Sequence, residues 1–218
     1  MKKIFILMTA CIALVFSLSG CSSQQTFTAR EESFDAAGIS SVVIDVEDRE
    51  VSVGVSDDGK IHIDCFESEK EFYEIRSEEG VLTMSLVYDK EWTDFIGVKP
   101  SDEVRKISVA VPDQMLSDLK VVTTNEKICL DTLSFTGSVS LDSNGGDVSF
   151  ETLSVGVAVG LTAKDGNISG TLAGGWDDFS ISCETKKGEC NLPESKPGGA
   201  KGLTVQCNNG DVNIAFSL

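Results

Sequence analysis

The chain has 218 residues and a formal charge of −17, from 35 acidic and 18 basic side chains. So acidic a surface excludes a nucleic-acid binder, which needs a basic face to displace phosphate counterions, and it excludes adsorption to an anionic bilayer by charge alone. Hydrophobic content of 41 % belongs to a chain that can build a core, not to a disordered one.

Met1-Lys2-Lys3 is a short positive segment, and residues 4–18 are apolar but too few to span a bilayer comfortably. The run ends in Leu18-Ser19-Gly20-Cys21, small residues ahead of a cysteine. Residues 1–20 read as a signal peptide, and these four residues resemble the lipobox of bacterial lipoproteins. That resemblance implies a diacylglyceryl group on the Cys21 sulfur and cleavage just before it. Two or more acyl chains anchor far more firmly than one. Residues 21–32 read as a polar tether behind the lipidated cysteine. The expected address is the outer side of the cell membrane, extracellular or periplasmic, with the membrane itself as the first partner.

Residues 33–118 form an acidic β segment of less regular pattern: 21–118 carries 23 acidic and 9 basic side chains, against 12 and 7 in 119–218. Period-two alternation runs through Val42, Ile44 and Val46 and again through Val51, Val53 and Val55. Asp57-Asp58-Gly59-Lys60 then predicts a hairpin into Ile61-His62-Ile63. Tyr73 to Arg76, a turn, and Val81 to Leu86 predict another strand pair. Residues 87–103, with Trp92, Phe95 and Pro100, break the alternation and read as a long loop. This acidic segment is expected to cap one end of the repeat region 119–218.

Residues 119–218 repeat. Ile128, Val148, Ile168, Cys190 and Val212 align with steps of 20, 20, 22 and 22 residues. Seven positions earlier stand Val121, Leu141, Leu161, Cys183 and Val205; two positions earlier, Glu126, Gly146, Gly166, Gly188 and Gly210. A fixed period of this length marks a stacked β architecture. The fold class expected is all-β, a single-stranded β-solenoid with about five regular C-terminal coils; an antiparallel meander or sandwich is the alternative. Like residues recur at every offset, which stacked coils require and a meander does not. The corner residues Gly146, Asp147, Gly166, Asn167, Gly188, Gly210 and Asp211 read as turn formers, the glycines for positive φ. Taking Val51 as a further anchor puts Val42, Ile44, Val46 and Val53 at the same offsets, an earlier, worn copy. The stretch 193–202, rich in Gly and Pro, is expected to break the stack between the last two coils.

Residues 33–216 resemble the putative-adhesin family of bacterial β-strand-repeat proteins, a family of unknown function. The resemblance rests on Phe34-Asp35-Ala36-Ala37-Gly38-Ile39, Ile61-His62-Ile63, Trp92-Thr93-Asp94-Phe95-Ile96-Gly97, Val109-Ala110-Val111-Pro112 and the repeated Asn-Gly-Asp corners. It implies the fold and an extracytoplasmic setting, and it brings no catalytic residues and no cofactor.

Cys183, Cys190 and Cys207 take inward offsets in the last two coils, and export would permit a disulfide among them; the alternative is small buried hydrophobes. His62 is the one histidine, mid-strand, with no nucleophile or carboxylate nominated by spacing. Metal binding lacks the paired-cysteine spacing it would need. The corner residues Asp147, Asp165, Asn167, Glu189 and Asp211 are expected to serve turn chemistry rather than a calcium ladder. The reading is a non-catalytic surface or envelope interaction module with a protein or glycan partner and no nucleic acid. The alternatives are a polysaccharide-acting enzyme on a β-helix, or an envelope-stress sensory ectodomain.

Overall fold

The computed structural model describes residues 25–89, 99–114 and 116–218. Cys21 and the aromatic residues Trp92 and Phe95 lie outside them. The described chain is built of strands, with two short 3-10 turns at Asp102–Arg105 and Trp176–Asp178.

The alternating segments become strands whose inward side chains are buried. β1 (Thr28–Asp35) begins within the stretch expected to be a tether, whose residues 28–32 instead pair antiparallel with the strand Lys60–Glu67. β2 (Ser41–Asp45), β3 (Glu50–Ser56), β4 (Lys60–Glu67), β5 (Glu71–Glu78), β6 (Val81–Tyr88) and β7 (Lys106–Pro112) come from the acidic segment. β8 (Asp118–Thr123), β9 (Ile128–Leu130), β10 (Leu133–Phe135), β11 (Ser138–Ser143), β12 (Val148–Val155), β13 (Ala158–Ala163) and β14 (Ile168–Ala173) come next. The chain closes with β15 (Phe179–Lys187), β16 (Ser195–Lys196), β17 (Lys201–Asn209) and β18 (Val212–Ser217). They form two nine-stranded sheets. One runs β1-β4-β7-β3-β9-β12-β14-β18, with β10 beside β12; the other runs β16-β15-β17-β13-β11-β8-β2-β6-β5.

Each rung is one strand from either sheet joined by a corner, and the rungs stack in parallel. In one sheet Met84, Ile44, Val121, Leu141, Leu161, Val205 and Cys183 stand in register, each on the next. In the other the column is Ile107, Val51, Ile128, Val148, Ile168, Val212 and Cys190. Leu141 has parallel partners on both sides, Val121 and Leu161, so the β-solenoid holds and the meander does not. Among the described residues, antiparallel pairs occur only toward the ends, between β1 and β4, β4 and β7, β5 and β6, and β15 and β16. The columns bury one continuous interior, in which each Val, Ile or Leu contributes roughly 1.5–3 kcal/mol.

The order of rungs departs from the order of the chain at both ends. The segment 33–118 supplies two rungs as well as end strands, and the later of them, β6 with β7, lies outside the earlier, β2 with β3. At the other end β17 inserts between β13 and β15, so the rung closing the stack is the one holding Cys183 and Cys190. The stretch 193–202 therefore does not break the stack. β16 pairs along the outer edge of β15, and the chain turns back through Gly198 and Gly199, both at φ +88, to fill the inner place. A strand set between two neighbours leaves no unpaired ladder edge, and the short antiparallel β16 blunts the edge that remains. The hairpin expected at Asp57-Asp58-Gly59 is also not formed: β4 pairs with β7, because β7 already occupies the open edge of β3 in parallel.

Candidate functional site

The corners between the sheets gather polar residues from successive rungs. The corner glycines stand over the carbonyl groups of the neighbouring rung. A β-carbon on Gly146 would lie 2.1 Å from the Glu126 carbonyl oxygen, and one on Gly166, Gly210 or Gly188 would lie 2.2 Å from the carbonyl oxygen of Gly146, Gly166 or Gly210. Positive φ is not the reason for three of the four, since only Gly188 has it, at φ +108. Glycine is needed because successive backbones approach too closely for any side chain.

One position further, side chains make a ladder. Asp147 Oδ1 accepts the Asn167 N–H at 2.7 Å, Asn167 Oδ1 accepts the Asp211 N–H at 2.9 Å, and Asp211 Oδ1 accepts the Glu189 N–H at 2.8 Å. These oxygens face backbone donors, a use that needs no ion. A third column lies inside: the Thr123 hydroxyl donates to Arg49 O at 2.7 Å, the Ser143 hydroxyl to Glu126 O at 2.9 Å and the Cys207 thiol to Gly166 O at 3.5 Å. Ala163 holds that position in the rung between, with nothing to donate.

Toward the N-terminal end, the glycine column gives way to charge. Arg105, Arg49 and Glu126 occupy the glycine position in their rungs, two residues before Ile107, Val51 and Ile128. Arg105 is nearly buried and bonds Glu126, Asp102 and the Pro100 and Asp48 carbonyls. Lys99 joins Glu126 at 3.2 Å. Arg49 is fully buried, donating to Glu71 and, at 2.8 Å, to the Tyr73 hydroxyl. Burial would strip the Arg49 charge, but Tyr73 and Glu71 outweigh it and hold the guanidinium protonated. Burial pushes the Tyr73 hydroxyl up to about 12 against the pull of Arg49. Burial likewise raises the Asp48 carboxyl, yet the Asn125 amide, Lys99, Thr124 and Arg105 together hold it below the usual range. Neither arginine stands out by residue type alone, although extending the alignment to Val51 and Ile107 puts both at the glycine position.

None of these described residues assembles into a catalytic set. His62 Nε2 lies 2.9 Å from Asp58 Oδ1, and Asp58 also accepts the Lys60 N–H at 3.1 Å, so the pair fastens a surface turn. The Cys65 thiol is buried and pushed up to about 12 by desolvation, which makes it a poor nucleophile. Cys183 and Cys190 lie 3.5 Å apart, sulfur to sulfur. Among the described residues no group of three or more His, Cys, Asp or Glu is placed to hold a metal ion. Two open depressions among the described residues, of about 780 and 210 Å3, are lined almost wholly by polar and charged residues, with Glu67, Glu69 and Lys70 in the first and Lys164, Glu184 and Lys186 in the second.

Along the outer face of each sheet runs a column of mostly small side chains. Thr83, Val43, Lys120, Ser140, Gly160, Thr204 and Ser182 line up across one face. Ser108, Ser52, Cys129, Ser149, Ser169 and Asn213 line up across the other.

A two-sheet stack of parallel rungs with hydrogen-bonded corners and broad hydroxyl-bearing faces defines a β-solenoid repeat protein. The chain belongs to the Toastrack DUF4097 family, which it matches over residues 39–217. The solved structures that resemble it include three named as putative: a cell adhesion protein from Clostridium sporogenes ATCC 15579, an adhesin from Bacteroides fragilis NCTC 9343 and a lipid binding protein from Parabacteroides distasonis ATCC 8503. The first is 11 % identical, covers 87 % of this chain and all of its own, and superposes with a TM-score of 0.56, which establishes the shared fold. The second is 12 % identical over 88 % of this chain and 98 % of its own, with a TM-score of 0.36. The third is 11 % identical over 86 % and 96 %, with a TM-score of 0.32. No curated protein matches the chain.

Proposed function

We propose that this protein is a lipid-anchored, extracytoplasmic interaction module without catalytic activity, which presents a flat sheet face to a protein or glycan of the cell envelope or of another surface. The observation that carries the reading is the registered column of small side chains across each outer face. Such a column lets an extended partner lie along the face and encloses nothing, so it suits an extended partner rather than a small substrate. Ligand sites for small molecules are lined predominantly by hydrophobic and aromatic side chains, whereas both depressions here are open and lined almost wholly by polar and charged residues. The adhesion in the name of the Clostridium sporogenes structure is a role of the same class. The anchor rests on Leu18-Ser19-Gly20-Cys21 and the apolar run before it.

The test uses the full chain in intact bacteria. A clickable fatty-acid analogue is expected to label the protein and to be lost in Cys21→Ser, with the protein leaving the membrane fraction; an unlabelled wild type removes the anchor. Photocrosslinking from position 182, in the same outward column, is expected to trap an envelope or surface component, and S140R/T204R is expected to abolish the adduct. Adducts unchanged by those bulky charges, or turnover of a glycan by the purified protein, would remove the interaction reading.

A further inference from the structure

The rung that closes the stack is the one least supported by its neighbours. Its strand in one sheet, β15, is paired along its length by β17, but its share of the other sheet is a single bridge from Cys190 to Val212. Asn191 extends that bridge by donating its amide to Ile214 O at 2.8 Å and accepting the Ile214 N–H at 3.0 Å. In the inner rungs the position of Cys183 and that of Cys190 hold apolar pairs: Val121 with Ile128, Leu141 with Val148, Leu161 with Ile168, and Val205 with Val212. Those pairs are covered above and below. The closing rung lacks one cover, and there both positions are cysteine, seven residues apart and 3.5 Å between sulfurs.

We infer that Cys183 and Cys190 form a disulfide that staples the two sheets together across the closing rung, set by exchange with a disulfide-bearing oxidant outside the cytoplasm. Cys190 is the half-exposed partner and meets the oxidant first. Its thiolate attacks one sulfur of the oxidant and expels the other as a thiolate, giving a mixed disulfide. Cys183 then gives up its proton and attacks the Cys190 sulfur, expelling the second thiolate. Two protein thiols and one external disulfide thus become one protein disulfide and two external thiols. Cys183 is nearly buried, and desolvation and the neighbouring Cys190 hold its thiol up at about 12, so the closeness of the two sulfurs must offset the small thiolate fraction in the second step. The third cysteine nearby, Cys207, is otherwise engaged: its thiol donates to Gly210 O at 3.2 Å and Gly166 O at 3.5 Å. The staple ties the Cys190 segment, which is held to the neighbouring rung by one bridge, to β15, which is paired along its length. Closing so short a loop places the gain near the low end of the usual range for a disulfide.

The full chain, solubilised in detergent, is equilibrated with oxidised or with reduced glutathione, alkylated and digested with trypsin. Cleavage at Lys186 and Lys187 separates the two cysteines, because Lys196 precedes Pro197 and is spared. The oxidised sample is expected to give peptide 165–186 linked to peptide 188–201, and the reduced sample to give both alkylated. Oxidation should also raise the thermal midpoint by about 5 °C; C183S/C190S should lose that response and C207S should keep it. Alkylation of both cysteines after oxidation, a link that recruits Cys207, or a linked pair with no thermal shift would each overturn the proposal.

Discussion

Gly166 lies over Gly146 so closely that a β-carbon on it would sit 2.2 Å from the Gly146 carbonyl oxygen. The spacing of the corners is thus set by backbone against backbone, and the solenoid cannot tolerate a methyl group there without separating two rungs.

Gly166→Ala should therefore cost on the order of 2–4 kcal/mol, as overpacking against an unyielding backbone does. Gly160→Ala is the control, since its β-carbon would meet only the Ser140 hydroxyl at 3.8 Å. Strand-interior alanine there should be neutral or stabilising by up to about 1 kcal/mol. Urea unfolding of the two variants separates the cases, and equal costs would show that the corner relaxes.

The inner hydroxyl column has one gap, at Ala163. Ala163→Ser should place a donor toward the Gly146 carbonyl, as Ser143 does toward Glu126, and stabilise by about 0.5–1 kcal/mol. Ser143→Ala should cost about 1–3 kcal/mol, because the Ser143 hydroxyl also accepts the Gly146 N–H at 2.9 Å. Denaturation midpoints moving together in the two variants would contradict the column.

Arg49→Met should cost about 3–5 kcal/mol by leaving the Glu71 carboxylate without its guanidinium in a buried site. R49M/E71L should recover most of that loss, since an apolar pair of similar volume needs no compensation. A double-mutant cycle by urea unfolding measures the coupling; additive costs would mean the two side chains act independently.

Stability should fall at alkaline pH through Tyr73. Its folded pKa is about 12, above an unfolded value of about 10, so between these values the unfolded chain has lost a proton that the folded chain keeps. The contribution, on the order of 2 kcal/mol, is whole below pH 10 and lost as the pH rises toward 12. Tyr73→Phe should lower stability at pH 8, through loss of the Arg49 hydrogen bond, yet flatten the slope between pH 10 and 12. An unchanged slope would assign the alkaline loss to other groups, Cys65 first among them.

The register of the stack was legible because burial acts on every inward position alike. Val42, Ile44, Val51 and Val53 could be aligned with Leu119, Val121, Ile128 and Leu130 from residue type alone, and the pairs are in register. The corner glycines were visible, but their cause was not, since a close approach between rungs is a distance across the stack and leaves no local mark. Arg49 and Arg105 were hidden for a related reason: a charge at a glycine position looks like decay of the repeat until its partners, Glu71 and Glu126, are seen beside it.

From the residues alone came the parallel solenoid, the positions that face its interior, and the corners where the chain turns, since each follows from a periodicity that any neighbour of the same kind would satisfy. Which rung neighbours which was decided only by the tertiary structure. Like rungs present nearly interchangeable edges, so local pattern cannot distinguish β17 beside β13 from β17 beyond β15. What selects the order is the return through Gly198 and Gly199, together with the need to leave at each end an edge that an antiparallel strand can cover, and these conditions exist only once the whole stack is assembled.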